Sequence, residues 1–162
     1  MTLLAAVRSA CTVALIAGTA ILGTAASAQQ LGTADEAKAM LTKAVTALKA
    51  DKAKTIDQIN KGEGGFLDRD LYVFCFNIGD AKAIANASTN PAAKKTIGID
   101  VRTLKDSTGK VFGKDLYEAA KEGQITEVSY MFPKPGTDMT PVPKVSFVTK
   151  VGDLGCGVGY YK

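Results

Sequence analysis

Histidine is missing from this chain altogether, and with it the side chain most often used as a base near neutral pH. Zinc sites lose a common nitrogen ligand as well, and the cysteines, Cys11, Cys75 and Cys156, have none of the close spacing of a metal site. Nucleophile elbows of the Gly-x-Ser-x-Gly type, phosphate-binding glycine loops and paired-carboxylate motifs are absent too. The chain reads as a non-enzyme without metal or cofactor. A large excess of one charge is also lacking: 20 Lys and Arg stand against 16 Asp and Glu, spread along the sequence. There is no basic face and no interleaving of aromatic with basic residues to track a nucleic acid. The mild positive balance suits an anionic ligand, but a global charge only biases encounter.

An unbroken apolar run of the length that spans a bilayer, about 20 residues, is lacking as well. Met1 to Ala28 carry Arg8, an uncharged stretch from Ser9 to Leu22, and Ala26-Ser27-Ala28, the small-x-small pattern of a signal-peptidase site. Gly18, Gly23 and several Thr and Ser dilute the apolar stretch. Arg8 stands three positions before Cys11, with no hydrophobic region ahead of it, which argues against lipid attachment there. The expectation is a signal peptide over residues 1–28, no membrane anchor after its removal, and a periplasmic or secreted product. Taking 28 from 162 leaves 134 residues, 29–162, the size of one domain with one core. Cys75 and Cys156 survive processing, and in an exported protein an even pair favours a disulfide over two buried thiols.

From Thr33 to about Lys61, Ala37, Met40, Leu41, Ala44, Val45, Leu48, Ile56 and Ile59 recur at spacings of three and four. That spacing predicts one long helix, opened by the capping box Thr33-Ala34-Asp35-Glu36 and closed at Gly62, Gly64 and Gly65. Leu71 to Ile78 alternates, with Tyr72, Phe74 and Phe76 on one face and Val73, Cys75 and Asn77 on the other, as in a central strand. Gly79-Asp80 turns it into a short strand over Lys82 to Ala87. A connection follows, with a helical turn near Val101 to Leu104, and then a second helix from Phe112 to Glu122. Gln124 to Lys134 and Val142 to Val151 form a hairpin, and Leu154 to Tyr161 is the closing strand. The order of helix, two strands, helical connection and three strands suits an α+β, PAS-like architecture: a long N-terminal helix packed on a five-stranded antiparallel sheet.

The run Asn90-Pro91, Gly98-Ile99-Asp100, Leu104-Lys105-Asp106, Gly109-Lys110 and Phe112 is followed by Ser129-Tyr130-Met131-Phe132-Pro133-Lys134-Pro135-Gly136. After it come Pro143-Lys144-Val145-Ser146-Phe147 and the closing Gly157-Val158-Gly159-Tyr160. Taken together these segments resemble the single Cache domain of bacterial chemoreceptors and sensor kinases, over nearly all of residues 29–162. The resemblance implies an extracytoplasmic sensor that holds a small organic molecule, often a short carboxylate, on the sheet face away from the long helix. It also implies that the first and last strands are neighbours, which would bring Cys75 and Cys156 within bridging reach; redox sensing is the functional alternative. Two departures stand out. The membrane helices that normally flank the domain are lacking, and Gly155-Cys156-Gly157 stands where bulky residues are usual.

A carboxylate needs fixed donors in a mostly apolar cup. Tyr130 and Lys144 are the first candidates: Tyr130 alternates with Val128 and Phe132, and Lys144 lies inside a strand, where a lysine needs a wet face or a partner. Lys134 sits at the hairpin end. Tyr72 and Arg69 stand at the entrance to the first strand, although Arg69, between Asp68 and Asp70, has a surface ion pair as its alternative. Phe132 supplies apolar wall. The expected role is a soluble sensor or carrier for a small organic ligand. The alternative is an interaction module that docks on a membrane sensor or chemoreceptor, its pocket filled by its own side chains.

Overall fold

The computed structural model describes residues 30–136 and 138–162. The expected signal peptide, residues 1–28, lies outside the described residues. Among those described, no helix is long and apolar enough to cross a membrane.

Helix α1 runs Ala34–Ala50 and opens on the expected capping box: the Thr33 hydroxyl accepts from the Glu36 amide while the Glu36 carboxylate accepts from the Thr33 amide. The sequence predicts one helix to Lys61, but the structure divides it. Asp51 is extended (φ −153°, ψ 96°), and helix α2 restarts at Lys52–Lys61. The reason is local. The Asp51 carboxylate accepts from the Lys54 amide at 3.0 Å, so this residue closes one helix and caps the next. The break turns α2 toward a strand edge, where Asn60 donates to the Ile84 carbonyl and accepts from the Asn86 amide. Gly62 then ends α2 in the left-handed conformation (φ 71°).

The strands are β1 (Leu67–Asp68), β2 (Leu71–Asn77), β3 (Ala83–Asn86), β4 (Thr126–Pro133), β5 (Pro141–Val151) and β6 (Leu154–Tyr161). All pair antiparallel, in the order β2-β6-β5-β4, with β1 and β3 both bonded to β2. The five expected strands are present, joined by the two-residue β1. Between β3 and β4 lie α3 (Pro91–Lys94), a 3₁₀ turn (Val101–Thr103) and α4 (Phe112–Ala119). Helix α4 stops three residues short of the expected Glu122, capped at Ala120, whose amide bonds the Tyr117 carbonyl.

Strand alternation sorts the side chains onto two faces. On one, Ala37, Met40, Leu41, Ala44 and Leu48 of α1 pack over Val73, Cys75, Phe147, Leu154, Cys156 and Val158. On the other, Phe112, Leu116 and Ala119 of α4 pack against Val128, Tyr130 and Val148, while Phe76 meets Ala81, Ala83 and Val101. Cys75 and Cys156 face each other across β2 and β6 and are bridged, with Cα atoms 4.1 Å apart.

The second face of β6 presents Gly155, Gly157 and Gly159, and the Phe76 and Phe74 rings of β2 lie over the first two. A Cβ on Gly157 would stand 2.5 Å from Phe74 Cζ and 2.8 Å from the Phe147 carbonyl oxygen. The ring can yield; the backbone oxygen of the paired strand cannot. Gly157→Ala should therefore destabilise the domain by about 1–3 kcal/mol, read as a lower urea midpoint. The bridge closes a segment of 81 residues, so the double variant Cys75→Ala, Cys156→Ala should lose up to about 4.5 kcal/mol of unfolding free energy by the chain-entropy relation. Wild-type protein unfolded in dithiothreitol should show the same loss; equal stability with and without reductant would contradict it.

Candidate functional site

The site is built on the sheet face opposite α1. Strand register places Tyr130 of β4, Lys144 of β5 and Tyr161 of β6 side by side. The next row holds Val128, Ser146 and Gly159, and the one after it Val148, Gly157 and Phe74. Lys144 is 1% exposed, among the largest of the fully buried side chains. Such burial of a lysine is rare unless it is paired. Its aliphatic stem reaches across β6 because Gly159 has no side chain: a Cβ there would collide with Lys144 Cε and would stand 2.5 Å from Ser146 Oγ. The stem thus carries Nζ to β2, where it donates to Tyr72 Oη at 2.9 Å and to Tyr161 Oη at 3.5 Å. The rings of Tyr72, Tyr161 and Phe132 surround Nζ, with centroids at 4.1, 4.7 and 5.4 Å.

No carboxylate pairs with Lys144 among the described residues. Burial pushes its pKa down from 10.5 to about 7, and the carboxylate of Asp70 opposes that shift in part. The neighbouring hydroxyls are held neutral by the same desolvation. Tyr130 is pushed up to about 12, with its hydrogen bond to Ser146, 2.8 Å long, acting in the opposite sense. Tyr72 lies well above the ordinary tyrosine range, and Tyr161 is raised too while it donates to the Pro133 carbonyl at 2.6 Å. The result is a cation held by hydroxyls and ring faces, with donor capacity to spare.

Beside this cluster lies a chamber of about 40 Å³, whose lining includes Tyr72, Phe74, Phe112, Leu116, Tyr130 and Phe132. Ala93, Thr96, Val101 and Leu104 of the β3–β4 connection also line it. The Phe112 and Tyr130 rings stack at 4.2 Å and Phe132 stands edge-on to both. The space suits a few water-sized groups, well below the roughly 300 Å³ of a pocket for a drug-sized ligand. Any bound molecule is therefore either very small or admitted by movement of these rings.

Of the residues singled out in the sequence, Tyr72, Tyr130 and Phe132 line this chamber, and Lys144 joins them through its bond to Tyr72 from outside the lining. Arg69 and Lys134 do neither. Arg69 takes a left-handed conformation (φ 55°) in the β1–β2 turn, and its guanidinium pairs with Glu36 at 2.7 Å and Asp68 at 2.9 Å. Lys134 Nζ stands 5.9 Å from the Tyr161 ring centroid. These two instead flank a separate surface cleft of about 170 Å³, with Gln30, Leu31, Asp70 and Pro135. Sequence reasoning missed Tyr161, Ser146 and Asp70. Alternation along the last strand puts Tyr161 on the face of Gly157 and Gly159, a signal that was there to use.

The family model described as single Cache domain 2 matches residues 20–161. Several solved structures share the fold. One is a methyl-accepting chemotaxis protein from Vibrio parahaemolyticus RIMD 2210633, with 24% identity and a TM-score of 0.58 over 78% of this chain and 86% of that one. Another is a periplasmic sensor domain of a chemotaxis protein, with 20% identity and a TM-score of 0.54 over 78% and 88%. A third was described for carboxylic acid recognition by a Cache chemosensory domain, with 26% identity and a TM-score of 0.53 over 78% and 86%. No curated protein matches the chain. The helix-backed antiparallel sheet, its covered second face and the extent of the family match lead to one assignment: the chain belongs to the single Cache domain family.

Proposed function

We propose that this chain is an exported, periplasmic sensor or carrier domain that binds a short organic carboxylate, with Lys144 as the charged donor. Tyr72 and Tyr130 supply hydroxyls to the bound carboxylate, and Phe132 forms the apolar wall. One observation carries the reading: a lysine is buried to 1% exposure with hydroxyls and rings around it and no paired anion among the described residues. A cation in that setting is unfavourable alone, and an incoming carboxylate supplies both the charge and the acceptor. The carboxylic acid recognition described for a similar domain at 26% identity supports the same chemistry. Export rests on the signal-like residues 1–28. In the proposed role recognition is the whole task, with no turnover.

The small volume of the chamber and its stacked rings favour a second reading, an interaction module that docks on a membrane sensor without a small ligand. Thermal unfolding in a panel of short organic acids separates the two. An acid at 100 times its dissociation constant stabilises by about 2.7 kcal/mol, and no shift across the panel supports the docking module.

In calorimetric titration with the acid that gives the largest shift, Lys144→Met should weaken binding by about 10- to 100-fold, the loss of one charge-assisted hydrogen bond. Tyr130→Phe should weaken it by about 3- to 10-fold on the same scale. Unchanged affinity in both would remove these residues from the site. The pH dependence follows from the Lys144 pKa of about 7. Below it the lysine is already charged and affinity is flat. Above it each binding event must take up a proton, so the association constant falls by up to about tenfold per pH unit. Lys144→Met should flatten that profile.

A further inference from the structure

Asp70 precedes β2 and is 4% exposed. Its Oδ1 accepts from the Gly32 amide at 2.6 Å, which fixes the carboxylate against the start of the described chain. Its Oδ2 is buried and has no hydrogen-bond partner among the described residues. A buried acceptor left without a donor costs about 1–3 kcal/mol, and more when charged, so an orphan of this kind requires an explanation.

Arg69 next to it does not provide one, because its guanidinium is committed to Glu36 and Asp68. Lys144 does not either: Asp70 influences its protonation, yet the two form no ion pair. Opposite charges thus stand at the same desolvated end of the sheet without touching. Asp70 also lines the cleft of about 170 Å³ that Gln30, Leu31, Lys134 and Pro135 share. Lys134 of that cleft and Lys144 of the cluster stand near the same ring, with Nζ atoms 5.9 Å and 4.7 Å from the Tyr161 centroid.

From this arrangement we infer that the ligand is a small zwitterion, an amino carboxylate whose ammonium group donates to Asp70 Oδ2 while its carboxylate accepts from Lys144 and the tyrosine hydroxyls. The inference rests on the carboxylate reading above and adds the second pole. A simple carboxylate satisfies Lys144 but brings its charge toward Asp70, and that repulsion is strong where water is excluded. A zwitterion gives each buried charge its complement and adds no net charge to the site. A free amine satisfies Asp70 and leaves Lys144 as it was.

Calorimetric titration of the full-length processed protein with alanine, β-alanine, propionate and ethylamine tests this directly. In the wild type, at least one amino acid should bind about tenfold or more tighter than propionate, the scale of one charge-assisted hydrogen bond. Asp70→Asn keeps an oxygen for the Gly32 amide and removes the charge. It should abolish that preference while propionate affinity stays within about threefold or rises. Lys144→Met should weaken both classes. Propionate binding as tightly as the amino acids in the wild type overturns the zwitterion assignment and leaves the carboxylate reading intact, and this comparison needs no variant to fold. Equal weakening of both classes by Asp70→Asn overturns it too. Ethylamine alone binding, with Lys144→Met without effect, overturns both readings, as does the absence of binding by all four compounds.

Discussion

Pairing of β2 with β6 is the contact on which the rest of the molecule depends. It joins the first full strand of the domain to the last, so the two hairpins become one sheet, and the covalent bridge between Cys75 and Cys156 sits within it. The same register brings Tyr72 beside the end of β6 and sets Phe74 and Phe76 over Gly157 and Gly155. Shift it by one residue and each of these side chains would move to the face that α1 covers. The location of the polar cluster is therefore a property of strand pairing before it is a property of the residues in it.

Within that frame the pocket face is organised by what β6 leaves out. Three alternate glycines make a shallow floor, and the side chains of both neighbouring strands lie down on it: Phe76 and Phe74 from β2, Lys144 from β5. The residues that fill the space are thus anchored at its sides rather than its base. Above this floor, rings on β2, β4 and α4 line a small chamber, with Phe112 stacked on Tyr130 and Phe132 edge-on to both. Lys144 gains its reach to Tyr72 by the same route.

Strand order, the face assignments of β2 and the bridging of the two cysteines were legible because each follows from period-two alternation and from the family resemblance. The division of the first helix was not. Ile56 and Ile59 return to the apolar stripe of α1 eight and eleven residues after Leu48, and an aspartate on a helix surface is unremarkable until its carboxylate is seen to cap the Lys54 amide. Lys144 was readable as an unusual strand lysine, but its direction was not, since that depends on a missing Cβ at Gly159 in the adjacent strand. Arg69 shows the limit of local charge reading. It lies between two acidic residues in sequence, yet it pairs with Asp68 and the distant Glu36 while Asp70 turns inward and escapes notice.

The covalent bridge also has a mechanical meaning. It staples the middle of the sheet between the strand that follows α1 and α2 and the strand that ends the chain, so a pull applied along either is carried by a bond rather than by a row of hydrogen bonds. The seam cannot open to report an arriving molecule. Deformation is left to the flank formed by β4, α4 and the connection before it, where contacts are non-covalent and the chamber's movable rings reside. A messenger reading this domain would thus have to sense a rearrangement on one margin of a stapled plate.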